Sequence, residues 1–345
     1  MVTLSGGGEG ETGPSCSYDA EVSALHEPIR QAVTLLLEDQ QNCVKQVLVQ
    51  YGAARLAVFF GRQRANDVLL SHMITFLNDK NDSQLRYCFF DNIPSVAAYV
   101  GWHCSSILKP LLQQGLADPE EFVVARAINA MSSLARQGLL EKVSLFEILR
   151  DTLPFLMHPN IWIRQSAVGM VVAVASKLDV VDVQVKIGCL LKNYIKQSIV
   201  TLDDPAIVMS YLKEPIPRTV LDAIIKYNDV PGLISLLEER QTSRRICRGS
   251  GQQVVYNEMA GQFRQLFARL AKAGMFPGVE DQILGLREYV LKVARQRGIS
   301  KDYQGIVNIS LDPCKKWTTP LISDGPRRDG AYDSGIDKAN CFHTY

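Results

Sequence analysis

No run of about 18 apolar residues, the length a helix needs to cross a bilayer, occurs in this 345-residue chain. The first residues, MVTLSGGGEGETGPSCSYDAE, lack the basic and apolar regions of a signal peptide. Val2 stands where N-myristoylation requires glycine. Net charge is only +1, so no global field points to nucleic acid or an anionic membrane. The eight cysteines, at 16, 43, 88, 104, 189, 247, 314 and 341, form no Cys-x-x-Cys pair. Cys88 in YCFF and Cys189 in IGCLL sit in apolar runs, so reduced, buried thiols of a cytosolic protein are expected.

Catalytic punctuation is equally scarce. The five histidines (26, 72, 103, 158, 343) show no HExxH or paired metal-ligand spacing. There is no Gly-x-Ser-x-Gly elbow, no kinase glycine loop, no His-Arg-Asp and no Asp-Phe-Gly. GGGEG at 6–10 follows no strand pattern and precedes no Gly-Lys-Ser/Thr, so it cannot cradle a phosphate. No catalytic residue, metal or cofactor is expected.

What the chain does have is helical text with a period. Residues 1–17 are rich in Gly, Ser, Glu and Thr and read as disordered. From 18 to 228 apolar residues recur at spacings of three and four. Four segments align: LLEDQQNCVKQVLVQ, FLNDKNDSQLRYCFFD, GLADPEEFVVARAINAM and FLMHPNIWIRQSAVGMV. Their anchor leucines are Leu37, Leu77, Leu116 and Leu156; their basic residues are Lys45, Arg86, Arg126 and Arg164. Both series step by about 40, the period of HEAT and armadillo helical repeats. The fold expected is all-α, a HEAT-type superhelix of four to five repeats over 18–228, with stacking obligatory because no unit buries both faces alone. Trp102 and Trp162 are assigned to packing. YLKEPIPRTVLDAIIKY (211–227), with Arg218 in the basic place, reads as an atypical end repeat.

Each unit reads as an apolar helix ending at the leucine, a polar turn, then a second helix with a basic residue near its start. Asp39, Asp79 and Asp118 share one place in the turn, and His158 occupies it in the fourth. The turn aspartates and basic residues can pair within a repeat or with the next, forming a charged ladder. Asp118-Pro119-Glu120-Glu121 reads as a helix start with Asp118 as N-cap. FLNDKNDSQLR (76–86) has oxygens at alternate positions, but a calcium loop counted from Asp79 needs Gly where Gln84 stands and Glu where Phe90 stands. It is therefore read as a turn, with Asp82 as a helix cap.

Two basic stretches remain. In FFGRQRAND (59–67), Arg62 and Arg64 precede a cap expected at Asn66 or Asp67, in either an inter-repeat loop or a partner contact. TSRRICRGSGQQVVYNE (242–258) reads as a polar, basic linker, and Arg244 and Arg245 either face solvent or meet an acidic partner or lipid headgroups. Amphipathic helices are expected at 258–273 and 279–297 within a linker region 229–298. The second carries Val279, Ile283, Leu286, Val290 and Val293 on one stripe. The tail 299–345 reads as disordered.

The blocks VFFGRQRANDVLLSHMITFLNDKND (58–82), VAAYVGWHCSSILKPLLQQGLADPEEFVV (96–124), HPNIWIRQSAVG (158–169) and LKEPIPR (212–218) closely resemble the HEAT region of the regulatory, protein-kinase-like subunit of the class III phosphatidylinositol 3-kinase. The likeness covers roughly 18–228. It implies the later part of a solenoid and the start of a linker, without the kinase-like domain, lipid anchor and propeller of that family: a fragment, short isoform or incomplete gene model. It implies a noncatalytic scaffold for autophagy and endosomal or vacuolar sorting. The implied partners are the lipid-kinase catalytic subunit and a Beclin-type subunit. It further implies a cytoplasmic location, on endosomal or autophagic membranes only through the complex, and no nucleic acid. Periodicity alone leaves open a phosphatase scaffold, a transport adaptor, or a piece of a serine/threonine kinase.

Overall fold

The computed structural model describes residues 18–197, 199, 201–250 and 261–303. The expectations for 1–17, for the tail beyond 303 and for the packing of the Trp102 side chain lie outside the described residues. Among those described, helices dominate and no strand forms; one isolated bridge joins Ile195 to Leu212.

Four helical hairpins follow in order. The first is α1 (Tyr18–Leu37) and α2 (Asn42–Arg64). In the second, a π-helical turn (Ala65–Leu70), α3 (Ser71–Thr75) and a 3-10 turn (Phe76–Asn78) form one arm, and α4 (Ser83–Val100) the other. The third pairs α5 (Ser105–Gly115) with α6 (Glu121–Arg136). The fourth pairs α7 (Lys142–Thr152), prolonged by a 3-10 turn (Leu153–Met157), with α8 (Ile161–Ala175). Helices α2, α4, α6 and α8 stack in sequence order, the arrangement of an all-α, HEAT-like solenoid.

Composition explains the stack. In α6, Val123, Val124, Ala127, Ile128, Ala130, Met131, Leu134 and Ala135 are all buried, because α4 and α8 flank it on both sides. Interspersed alanines let neighbouring helices approach. The four anchor leucines, Leu37, Leu77, Leu116 and Leu156, are buried at equivalent places.

The corners between hairpins rest on glycine. Gly61, Gly101 and Gly138 have φ of 72°, 88° and 72°, a region that costs other L-residues about 1 kcal/mol or more. FFGRQRAND is therefore not a loop with a cap at Asn66 or Asp67. The chain reverses at Gly61 alone and is helical again at once, through the π-helical turn.

The remainder departs further from expectation. A short arm, α9 (Val180–Asp182), a π-helical turn (Val183–Ile187) and α10 (Gly188–Leu191), leads to α11 (Pro205–Tyr211) and α12 (Arg218–Ile225). The stretch from 242 to 250, read as linker, is helical: α13 spans Val230–Ser250. Its buried face, Val230, Leu233, Leu237 and Arg244, explains why. Next come α14 (Gly261–Lys272), α15 (Pro277–Gly285) and α16 (Arg287–Tyr303). The helix expected over 279–297 is thus two, broken at Leu286, although its stripe from Val279 to Val293 is buried as a unit. Helix α16 also runs to Tyr303, into the stretch read as tail. Helices α13 to α16 belong to the same compact unit as the hairpins; the Phe155 and Tyr289 rings meet edge to face at 5.6 Å.

Gly115, at the end of α5, sits where two helices leave no room for a side chain. A Cβ there would fall 2.8 Å from the Ala127 methyl and closer still to the Phe90 ring. Gly115→Val should therefore destabilise the protein by about 1–3 kcal/mol through overpacking. Gly169→Ala in α8 meets nothing within 4 Å and should be neutral or stabilising by up to about 1 kcal/mol. Urea midpoints at equal slope measure both.

Candidate functional site

The polar groups of the solenoid converge on one edge, where the four hairpin turns line up. Each turn closes through the same hydrogen bond, a side chain accepting the backbone N–H two residues on. Asp39 Oδ1 accepts from Gln41 at 2.6 Å, Asp79 Oδ1 from Asn81 at 2.9 Å, and Asp118 Oδ1 from Glu120 at 2.9 Å. In the fourth turn His158 Nδ1 accepts from Asn160 at 3.1 Å. Asp204 repeats the bond ahead of α11, from Ala206 at 2.8 Å.

Asp79 is saturated by N–H donors. Its Oδ1 also accepts from the Asp82 amide at 3.0 Å, and its Oδ2 from Asn42 Nδ2 at 2.9 Å. Burial pushes this carboxyl up, but the bonds from Asn42, Asp82 and Asn81 outweigh it and hold the group below the usual carboxylate range. Asp82 caps α4 by accepting from the Leu85 amide at 2.9 Å. Asp118 is not the N-cap of α6. That helix starts at Glu121, with Glu120 extended before it and making no side-chain cap bond. Both Asp118 oxygens are engaged elsewhere.

Rungs connect successive turns. Asn42 reaches Asp79, and Gln46 Nε2 donates to Asp82 at 3.0 Å. Arg86 then grips Asp118 through Nε at 2.7 Å and a terminal nitrogen at 3.0 Å, and both residues are buried. Its other terminal nitrogen donates to the carbonyls of Asp79 and Lys80. Arg164 makes the same carbonyl contacts in its own turn, at 2.9 Å to His158 and 3.0 Å to Pro159. Asn160 donates to Glu121 at 2.6 Å, and Arg218 reaches back to the same carboxylate at 2.5 Å.

Several assigned residues take other places. Lys45 bonds to Asn42 at 3.1 Å and not to Asp39. Lys45, Arg86 and Arg164 are each the fourth residue of their helix, but in α6 that place is Val124. Arg126 lies two residues on, a third exposed, paired with Asp91 at 3.0 Å and over the Tyr87 ring at 4.8 Å. Trp162 does not pack: it is 65% exposed in the first turn of α8, whose buried face is Ile163, Ala167 and Val171. Arg62 lies against the Gly101 corner, and Arg64 bonds to His26 of α1. Arg244 is not a surface contact. It is buried against Glu280, with Asp281 at 2.7 Å, while Arg240 holds Glu280 from the other side at 2.9 Å. Arg245 remains exposed, on the rim of a cleft of about 870 Å³ beside α13 and α15. Cys189, expected to be buried, is exposed, whereas Cys88 is buried and its thiol is pushed up to about 11 by that burial.

Glu121, placed by its sequence in a helix start alone, and the corner glycines hold roles in the array that local spacing does not announce. Gly61, Gly101 and Gly138 recur near the period of the leucines, a signal present in the text. Among the described residues no group of three metal-ligating side chains assembles.

Comparison with known proteins reaches the end of α12 and stops before α13. The chain matches the family described as PIK3R4-like, middle domain, over residues 6–225. It is 34% identical over 225 residues to the probable serine/threonine-protein kinase vps15 of Dictyostelium discoideum, covering 61% of this chain and 11% of that protein. Identity to the serine/threonine-protein kinases VPS15 is 30% over 211 residues in Arabidopsis thaliana and 30% over 214 in Saccharomyces cerevisiae. Those matches cover 60% and 62% of this chain and 14% of each relative. The chain thus spans a small fraction of the length of these relatives.

Two predictions test the ladder. Arg86→Met leaves Asp118 buried without its cation and should cost about 3–5 kcal/mol, whereas Arg86→Met with Asp118→Leu should cost clearly less than the sum of the singles. Arg126→Glu, at a partly exposed pair, should cost about 1 kcal/mol or less. The second concerns His158. Burial holds its imidazole down to about 3, with the charges of Arg218 and Arg164 adding to the effect. The unfolded chain binds that proton near the ordinary value of about 6.5. Stability is therefore unaffected by this group above pH 6.5 and is lost as pH falls from there toward 3, by up to about 1.4 kcal/mol per pH unit. His158→Asn should flatten that part of the pH profile relative to the parent chain, measured by denaturant midpoints from pH 7 to 4.

Proposed function

From its membership of the PIK3R4-like middle-domain family, which the match over 6–225 establishes, we propose that the chain is a noncatalytic scaffold in the regulatory subunit of a class III phosphatidylinositol 3-kinase complex. The observation that carries this reading is the ladder itself. Its carboxylates and guanidinium groups are spent on N–H groups, carbonyls and one another, from Asn42 through Asp118 to Arg218. Such an edge fixes the phase between hairpins and leaves no reactive group poised for substrate. The mechanism is geometric: stacked hairpins hold the parts of a larger subunit at set distances while their outer helices meet other proteins.

The kinase named in the relatives is a property of those proteins, and this chain corresponds to a small share of them. The proposed partners are the lipid-kinase catalytic subunit and a Beclin-type subunit. The proposed setting is cytoplasmic, with membrane contact on endosomal and autophagic membranes made through the complex, in support of autophagy and vacuolar sorting.

Affinity purification of the tagged full chain, with mass spectrometry, tests the proposal. The expected result is enrichment of the lipid-kinase catalytic subunit, reduced when Arg86→Met loosens the array. Recovery of phosphatase or transport-adaptor subunits without the lipid kinase overturns it.

A further inference from the structure

The arm after the fourth hairpin carries an apolar line that faces solvent. Val181, Val185 and Cys189 lie four residues apart, the two valines 72% and 61% exposed, while Ile187 and Leu191 turn inward to the core. Residues four apart share a helix face, and the π-helical turn at Val183–Ile187 is a wide turn of the kind that recurs at functional sites. Opposite this line, α7 presents Val143, 67% exposed, then Phe146 and Arg150 at spacings of three and four. Between them runs a groove of about 500 Å³ floored by half-buried Phe146 and Leu190. Lys186 lies over the Phe146 ring at 5.0 Å.

We propose that this groove between α7 and Val185–Leu190 docks one amphipathic helix of a protein partner, carrying an apolar stripe flanked by acidic residues. Along α7 the groove runs from Val143 to Arg150, about 10 Å at 1.5 Å per residue, two turns, which suits anchors at i, i+3 or i+4, and i+7. Charge selects the flank. Arg150 is exposed on the rim, and its neighbouring acid, Glu147, is engaged by Lys109 of α5. Lys186 adds a second cation, shared with Asp182 at 2.9 Å. The groove is concave, with half-buried Phe146 and Leu190 as its floor, a shape that fits a convex helix and not a flat lipid surface. The site does not depend on which complex the chain joins, so its failure and the failure of the scaffold reading are separable.

The test uses the full chain and a fluorescent 18-residue helical peptide with leucines at i, i+3, i+7 and i+11 and glutamates flanking them. A second peptide replaces each glutamate by lysine. Anisotropy should show saturable binding of the glutamate peptide, at least tenfold tighter than the lysine peptide. Hydrogen exchange should slow in 142–152 and 180–191 and nowhere else. Val185→Asp should weaken binding at least tenfold, and Arg150→Glu should reverse the peptide preference. Val143→Asp replaces Val185→Asp if the latter lowers the thermal midpoint. Equal binding of both peptides, no binding at 1 mM, or undiminished binding by the valine variants overturns the proposal. So does protection of the same segments by phosphatidylserine vesicles, or a concentration-dependent dimer abolished by Val185→Asp.

Discussion

One hydrogen bond, repeated at every turn, sets the terms for the array: a side-chain acceptor takes the backbone N–H two residues on. A hairpin of two apolar helices cannot bury both faces alone, so it depends on its neighbours. That dependence fixes which way each second helix must leave its turn. Asp39, Asp79, Asp118 and His158 impose that exit in four successive repeats. Once the exits agree, α2, α4, α6 and α8 lie side by side, and their apolar faces close on one another.

The substitution of histidine in the fourth turn follows from burial. Asp118 is buried too, but Arg86 neutralises it directly. At the fourth turn the local arginine, Arg164, is occupied by two carbonyls, and the ring of Tyr289 closes over the site at 5.5 Å, edge to face. With Arg164 and Arg218 close enough to disfavour a cation there, the acceptor must stay unprotonated, and a buried imidazole held neutral meets that condition. A neutral imidazole performs the same acceptor role at Nδ1, which leaves its proton on Nε2. The acceptor is thus kept while the charge is discarded, and the turn becomes a seat for α16.

The period, the buried leucines and the capping Asp82 were legible because each rests on local chemistry at a regular spacing. What escaped rests on long-range geometry. Arg126 falls into step with Arg86 when basic residues are counted, yet helix α6 begins two residues earlier than that count implies, so the side chain points to Asp91 and Tyr87. Trp162 is apolar by type, but it lies off the face of α8 that Ile163, Ala167 and Val171 bury. The basic run before residue 250 looked like linker because its arginines were read as solvated. Glu280 and Asp281, some 36 and 37 residues later, turn Arg244 into a core residue and the run into helix. No window of local sequence contains both halves of that pairing.

The same accounting bears on where the protein can meet others. Polar groups on the turn edge are consumed internally, so that edge stabilises but offers little to recognise. Exposed apolar side chains include Leu35 on α1, Tyr51 on α2, Val143 on α7, Val181 and Val185 on the arm after α8, and Ile161 and Trp162 beside the fourth turn. A helix in the middle of the stack has neighbours on both sides and nothing to spare; α6 exposes little beyond Asn129 and Arg136. Outer arms have one neighbour each, and there an apolar residue left in water has no stacking role to explain it. The division follows from the repeat itself: inner helices and turns hold the spacing, and the outer arms are free to vary in what they present.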